Sequence, residues 1–186
     1  MIQKIVNWDY RVFENVHAHW HNAFFDFIFP YLRNPFFWSP LYLFLIVVMY
    51  ENFGKKGMLW ALFYLITFGL GDFFSAKLLK PLVHRLRPCI DPMWNGMHRH
   101  IVPDSHGFSF PSSHATNHFA MAMFIYITCS KFHSGIKYLA FFWAAAVAYA
   151  QVYVGVHYPI DVLAGATLGC WIGYLTGNYF NMRSEL

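Results

Sequence analysis

The sequence predicts an all-α bundle of membrane-spanning helices, and three observations carry that reading. Hydrophobic residues make up 58% of the 186-residue chain and charged residues only 12%, about half the charged share of a soluble domain. Five apolar stretches, at 35–50, 58–79, 111–130, 138–156 and 161–180, are separated by polar turns or loops. A backbone in lipid has no water to bond to, so each stretch must satisfy its own N–H and C=O groups as a helix. The length suggests one domain, 1–186, with interfacial helices at 1–33, the transmembrane bundle at 34–182 and a long polar loop at 80–110.

In the N-terminal segment, Ile5, Trp8, Val12, Phe13, Val16 and Trp20 recur at helical spacing with Lys4, Arg11 and Glu14 between them, which predicts an amphipathic helix lying on the membrane surface. It has no apolar signal-peptide core, so cleavage is not expected. The segment 24–32 is apolar but short and bounded by Pro30 and Pro35, so it reads as a second interfacial or re-entrant piece. The first span at 35–50 is also short, so its start is expected earlier in the chain. The second contains Asp72, Ser75 and Lys77; charged groups within a span face the bundle interior, and Asp72 is expected to pair with Lys77 or Lys80. The turns at Lys55–Lys56 and 131–137, with Arg183, put basic residues on one side. The positive-inside rule makes that side cytoplasmic. The net charge of +4 fits headgroup contact or an anionic substrate. Cys89, Cys129 and Cys170 give neither a disulfide framework nor zinc spacing.

Alternation of spans brings three polar segments to the opposite, non-cytoplasmic face: 80–88, 111–114 and 151–161. The first carries Lys80, Arg85 and Arg87 within two turns; Arg presents a planar fork to phosphate oxygens and Lys a compact charge, although snorkelling at a span end accounts for each singly. The second, Pro111-Ser112-Ser113-His114, starts a helix whose free N–H groups bind anions. Plain N-capping explains the serines but not His114. The third places His157 one turn before Asp161, where a carboxylate can accept one imidazole N–H and leave the other nitrogen as a nucleophile. An interfacial histidine beside a capping Asp is the plainer reading of that pair alone.

Taken together, the three segments resemble the signature of the type 2 phosphatidic acid phosphatase superfamily, which also includes vanadium haloperoxidases. Lys, six residues, then Arg-Pro is matched by Lys80, Arg87 and Pro88. Pro-Ser-Gly-His is matched by Pro111, Ser112 and His114, with Ser113 in place of Gly. Ser-Arg, five residues, His, three residues, Asp is matched at His157 and Asp161, with Ala150 and Gln151 in place of Ser and Arg. The resemblance implies that His157 attacks phosphorus to form a phosphohistidine and that Asp161 orients it. His114 protonates the leaving oxygen and then activates water, and Lys80, Arg87, Ser112, Ser113 and Gln151 hold phosphoryl oxygens. It implies no metal and no cofactor. Gln151 keeps a donor but loses the family's charge, and Arg85, Arg99 or His118 is expected to compensate. Ser113 is tolerable where the backbone does not need positive φ. His98, Arg99, His100 and His106 read as an interfacial polar loop rather than a closed metal site.

The implied substrate is a lipid phosphate or diphosphate, with undecaprenyl diphosphate first and phosphatidylglycerophosphate, phosphatidic acid and lipid A as alternatives. A lipid phosphotransferase and a non-catalytic phospholipid-binding relative also fit. The partners are a phospholipid or isoprenoid phosphate and membrane lipid, not nucleic acid; oligomeric state is not legible. The expected location is a bacterial inner membrane with the site on the periplasmic or extracellular face.

Overall fold

The computed structural model describes residues 1–129, 131–132, 134–184 and 186, Ser134 by its backbone alone. Ser130, at the end of the expected third span, and His133, in the expected basic turn, lie outside the described residues. Among the described residues every regular element is helical. Helix α1 is Ile2–Glu14, continued by a π-helical turn at Asn15–His19; α2 is Ala23–Leu32; a 3₁₀ turn at Pro35–Trp38 leads into α3, Ser39–Phe53; α4 is Lys55–Asp72, continued by a π-helical stretch at Phe73–Leu79 and the short α5, Lys80–Val83; α6 is Ser113–Cys129, α7 Ser134–Tyr153 and α8 Pro159–Arg183. Asn22 caps α2 by accepting from the Phe25 N–H at 2.9 Å. Pro159 at the first position of α8 needs no hydrogen-bond partner there.

Four stretches are long and apolar enough to cross a membrane: Pro35–Phe53, Lys55–Trp94, Gly135–Tyr153 and Pro159–Arg183. The first does not start earlier than Pro35, as its shortness suggested, but gains its length at the other end, running on to Phe53. The remaining expected span, 111–130, is α6, whose 17 residues reach about 25 Å at 1.5 Å per residue. It is the central helix, with Ala115, Ala120, Ala122 and Phe124 fully buried, and α4, α7 and α8 pack around it. Exposed Leu43, Phe44, Leu62, Leu65, Phe142 and Trp171 cover the outer surface, as a protein solvated by lipid requires.

Glycines at every fourth position of α8 bring it against α6. A Cβ at Gly165 would lie 2.5 Å from the Ser112 carbonyl oxygen, at Gly169 2.2 Å from that of Thr116, and at Gly173 2.2 Å from that of Ala120. Helices in lipid associate by such close backbone approach, because burial of apolar surface gains little there. The consequence is functional: the N-terminus of α6, with Ser112 and His114, is fixed against the N-terminus of α8, with Asp161. The Ser112 N–H donates to the Asp161 carbonyl at 2.9 Å.

Helix α1 departs from the expected surface helix. Ile5 and Trp8 face outward, but Asp9, Phe13, Val16 and His17 are buried against the protein. Phe13 packs with Trp94 and Tyr158 at ring separations of 4.8 and 5.3 Å, so α1 clamps the 80–110 loop onto the start of α8.

Candidate active site

His157 sits in the tight connection between α7 and α8 and is 1% exposed. The Gln151 carbonyl accepts from the N–H groups of Val156 and His157 at 3.1 and 3.3 Å, which folds the chain back. Gly155 makes this turn at φ +83°, where a Cβ would also lie 2.3 Å from the His98 ring. One turn on, Asp161 is held from three sides. Its Oδ2 accepts from the Tyr158 N–H at 2.9 Å, its Oδ1 accepts from Arg85 at 2.7 Å, and its backbone carbonyl receives Ser112.

The His157 Nδ1 lies 3.5 Å from Asp161 Oδ2, longer than a good hydrogen bond but close enough for a strong charge contact. On the other side, Arg87 Nη1 lies 3.2 Å from His157 Nε2 and 3.3 Å from the Val156 carbonyl. A guanidinium has only donors, so Nε2 carries the lone pair and Nδ1 the proton. Burial pushes the imidazole down to about 4, against the opposing pull of Asp161, so it is neutral at pH 7. A neutral, oriented imidazole with its lone pair facing a guanidinium is arranged as a nucleophile beside an anion site.

His114, one residue into α6, is within electrostatic reach of His157, His118, Arg33 and Lys80. It lies between two cavities. One, of about 410 Å³, opens between Arg33, Pro35, Val102 and Pro103. The other, of about 220 Å³, runs from His114 past Asp72 and His118 to Pro35, Tyr42 and Phe68. The Ser113 hydroxyl, Asn117 Oδ1 and His118 Nε2 beside it are buried without a partner among the described residues. Both polar ends of the fully buried Gln151 side chain, and Arg87 Nε, are likewise unpartnered. Unmet buried polar groups at this density cost free energy unless a ligand or water meets them.

Lys80, Arg87, Ser112, Ser113, His114, Gln151, His157 and Asp161 thus cluster where three elements meet. Ser112 is buried, its hydroxyl facing the Ala115 N–H at 3.4 Å; with its own N–H bound to Asp161, it is first a cap. Ser113 has no positive φ, which only His84 shows among the described non-glycine residues, so serine costs no backbone strain there. Two expected helpers are engaged elsewhere. Arg85 bridges Asp161 and Asp9 and lies 4.0 Å over the Tyr158 ring; Arg99 binds both Asp26 oxygens at 2.6 and 2.7 Å. Neither guanidinium is free to replace the charge absent at Gln151. His118 donates its Nδ1–H to the His114 carbonyl at 2.9 Å and turns Nε2 into the smaller cavity. Asp72 forms no ion pair with Lys77 or Lys80 among the described residues; it lines that cavity instead.

Two residues had no place in the sequence reading. Asp9, fully buried, accepts from Arg85 and from the Ile160 N–H at 2.8 Å; burial pushes its carboxyl up while Arg85 and Ile160 oppose that. A lone Asp one turn before Phe13 on an amphipathic helix was its only mark. Arg33, at the end of α2, lines the larger cavity.

These features define an integral-membrane helical protein with a cluster of histidine, arginine and lysine side chains at one end of its bundle. The chain belongs to the PAP2 superfamily, whose model matches residues 57–185. It is 30% identical over 161 residues to a lipid A 4'-phosphatase of Bacteroides thetaiotaomicron, covering 83% of this chain and 69% of that protein. It is 29% identical over 157 residues to an undecaprenyl-diphosphatase of Sulfolobus acidocaldarius, covering 83% and 68%. Its fold matches a transmembrane PAP2-type phosphatidylglycerolphosphate phosphatase from Bacillus subtilis with a TM-score of 0.72 at 22% identity, over 97% of this chain and 88% of that one.

Proposed function

We propose that the protein is a membrane lipid phosphatase working through a phosphohistidine on His157, with its site at the non-cytoplasmic face of a bacterial inner membrane. The observation that carries this reading is the neutral His157 imidazole, its Nδ1 facing Asp161 and its Nε2 facing Arg87. On substrate binding, Arg87 turns from Nε2 to the phosphoryl oxygens, joined by Lys80, the Gln151 amide and the free N–H groups at the start of α6. The Nε2 lone pair forms the N–P bond as the bond from phosphorus to the lipid oxygen breaks, and His114 gives that oxygen its proton. The Nδ1 proton stays between His157 and Asp161, which offsets the charge developing on the ring. His114 then takes a proton from water, whose oxygen attacks phosphorus; the N–P bond breaks and inorganic phosphate leaves. Fixed positive charge around the equatorial oxygens supplies most of the rate.

The smaller cavity favours a lipid substrate: its apolar walls at Pro35, Tyr42 and Phe68 lead from His114 towards the lipid-facing side of the bundle. The relatives' names keep undecaprenyl diphosphate, lipid A and phosphatidylglycerophosphate as substrates for test. Purified protein, assayed without added metal, is expected to release phosphate from at least one of them, and His157→Ala to release none. A radiolabelled phosphate bound to His157, stable in alkali and lost in acid, would mark the intermediate. Equal release by wild type and His157→Ala would overturn the assignment. Adding a lipid acceptor separates hydrolysis from phosphotransfer by product.

A further inference from the structure

Arg33 is a largely enclosed cation with nothing to neutralise it. Its side chain has no hydrogen bond or ion pair among the described residues, and its Nε is buried and unpartnered. Burial lowers its pKa and so, next, does the charge of Arg87: the two guanidinium groups lie within each other's fields. Such an arrangement is costly in an empty site and favourable once an anion enters it. Arg33 and His114 line the same cavity of about 410 Å³, and the other cavity at His114 carries the apolar path. Arg33 also precedes residues 57–185, which the family model matches, so it stands outside the three motifs.

We propose that Arg33 forms a second phosphate subsite, on the leaving-group side of His114, so that the site is built for a lipid diphosphate rather than a lipid monophosphate. The inference rests on the mechanism proposed above. The terminal phosphoryl group occupies the Lys80–Arg87–Gln151 pocket in line with His157 Nε2. The bridging oxygen faces His114 and takes its proton. The phosphate that stays on the lipid meets Arg33, and its chain leaves along Tyr42 and Phe68. When the bridging P–O bond breaks, negative charge grows on the departing lipid monophosphate, where Arg33 stabilises it alongside the proton from His114.

The test uses full-length protein in detergent and two readouts. In the first, isothermal titration measures affinity for methylenediphosphonate, whose bridge cannot be cleaved, and for inorganic phosphate. Wild type is expected to prefer the diphosphonate at least 10-fold, Arg33→Gln to lose most of that preference, and Arg33→Lys to regain part of it. In the second, the ratio of kcat/KM for farnesyl diphosphate over farnesyl phosphate falls at least 10-fold in Arg33→Gln. No preference in wild type, or an unchanged ratio in Arg33→Gln, would overturn the subsite. Binding is read without turnover, so undiminished phosphate release by His157→Ala would sink the phosphohistidine mechanism while leaving the affinity ratio to judge Arg33.

Discussion

Arg87 directs Nη1 at His157 Nε2 from 3.2 Å, and that one contact sets where the imidazole proton resides. A partner able to accept would allow either tautomer; a guanidinium allows one, with the lone pair towards the phosphate pocket and the proton towards Asp161. In the proposed mechanism Arg87 therefore serves twice, fixing the resting tautomer and then binding the phosphoryl group. Arg87→Ala should lower kcat/KM for phosphate release about 10³-fold, from the loss of about 4 kcal/mol of charged transition-state contact. Arg87→Lys keeps charge but not the fork and should recover only part. A loss below 10-fold in Arg87→Ala would contradict both roles.

The neutral state of His157 makes folding sensitive to acid. Its pKa is about 4 in the fold against about 6.5 when unfolded. Between those values the unfolded chain binds a proton that the folded chain refuses. Stability is therefore fully present above about pH 6.5 and falls as pH drops towards 4. From pH 7 to 5 this one group should cost on the order of 2 kcal/mol. The melting temperature of His157→Gln should accordingly fall less than that of wild type over that interval; parallel declines would show that His157 is not the group titrating.

Gln151 is fully buried, and neither end of its amide has a partner among the described residues. In the proposed mechanism its Nε2 donates to a phosphoryl oxygen, a neutral contact worth about 1–1.5 kcal/mol. Gln151→Leu should lower kcat roughly 10-fold, and Gln151→Glu, which sets a carboxylate against the substrate's charge, by much more. Steady-state phosphate release decides it, and a Gln151→Glu variant as active as Gln151→Leu would move the amide out of the pocket.

The motif-bearing residues were legible because the chemistry needs particular residue types at fixed offsets: Lys80 to Arg87, Ser112 to His114, His157 to Asp161. The spans were legible because lipid demands continuous apolar length. Tertiary partnership was not. The Arg-Pro motif marks Arg87, but nothing local shows that Arg85 is bound by Asp9 and Asp161 while Arg87 faces the imidazole, since Asp9 comes from α1, some 75 positions away in sequence. Arg33 stands outside every motif. The buried face of α1 escaped notice because its apolar residues satisfy two surfaces at once, Ile5 and Trp8 outward and Phe13 and Val16 inward. The α8 glycines at 165, 169, 173 and 177 were readable as a close-packing stripe, but only α6 gives the stripe its partner.

That stripe can be tested against an internal control. At Gly169 an added methyl would meet the Thr116 backbone oxygen at 2.2 Å, whereas at Gly69 in α4 it would meet nothing within 4 Å. A backbone atom cannot rotate aside, so Gly169→Ala must push α8 off α6, at a cost of about 2 kcal/mol or more. It should also weaken activity, because Ser112 and Asp161 are joined across that contact. Gly69→Ala should be neutral or slightly stabilising through helix propensity. Thermal unfolding in detergent compares the two; equal shifts would mean that α6 and α8 can slide apart without penalty.

Asp9 ties the N-terminal helix to the catalytic end, since it receives Arg85, which in turn holds Asp161. Asp9→Ala leaves Arg85 with a single carboxylate and strands the Ile160 N–H at the start of α8. Breaking a buried ion pair from one side costs about 3–5 kcal/mol, so this variant should lose much of its thermal stability. Asp9→Asn is the finer probe, because its amide oxygen can still accept from Ile160 while the charge is gone. Arg85 then has one anionic partner left and draws Asp161 Oδ1 more strongly, away from His157 Nδ1. The expected result is a stable Asn variant with kcat reduced about 10-fold and KM nearly unchanged, since Asp9 lies behind the phosphate pocket and not within it. A rise in KM at constant kcat would instead mean that α1 guards access of the substrate to the site.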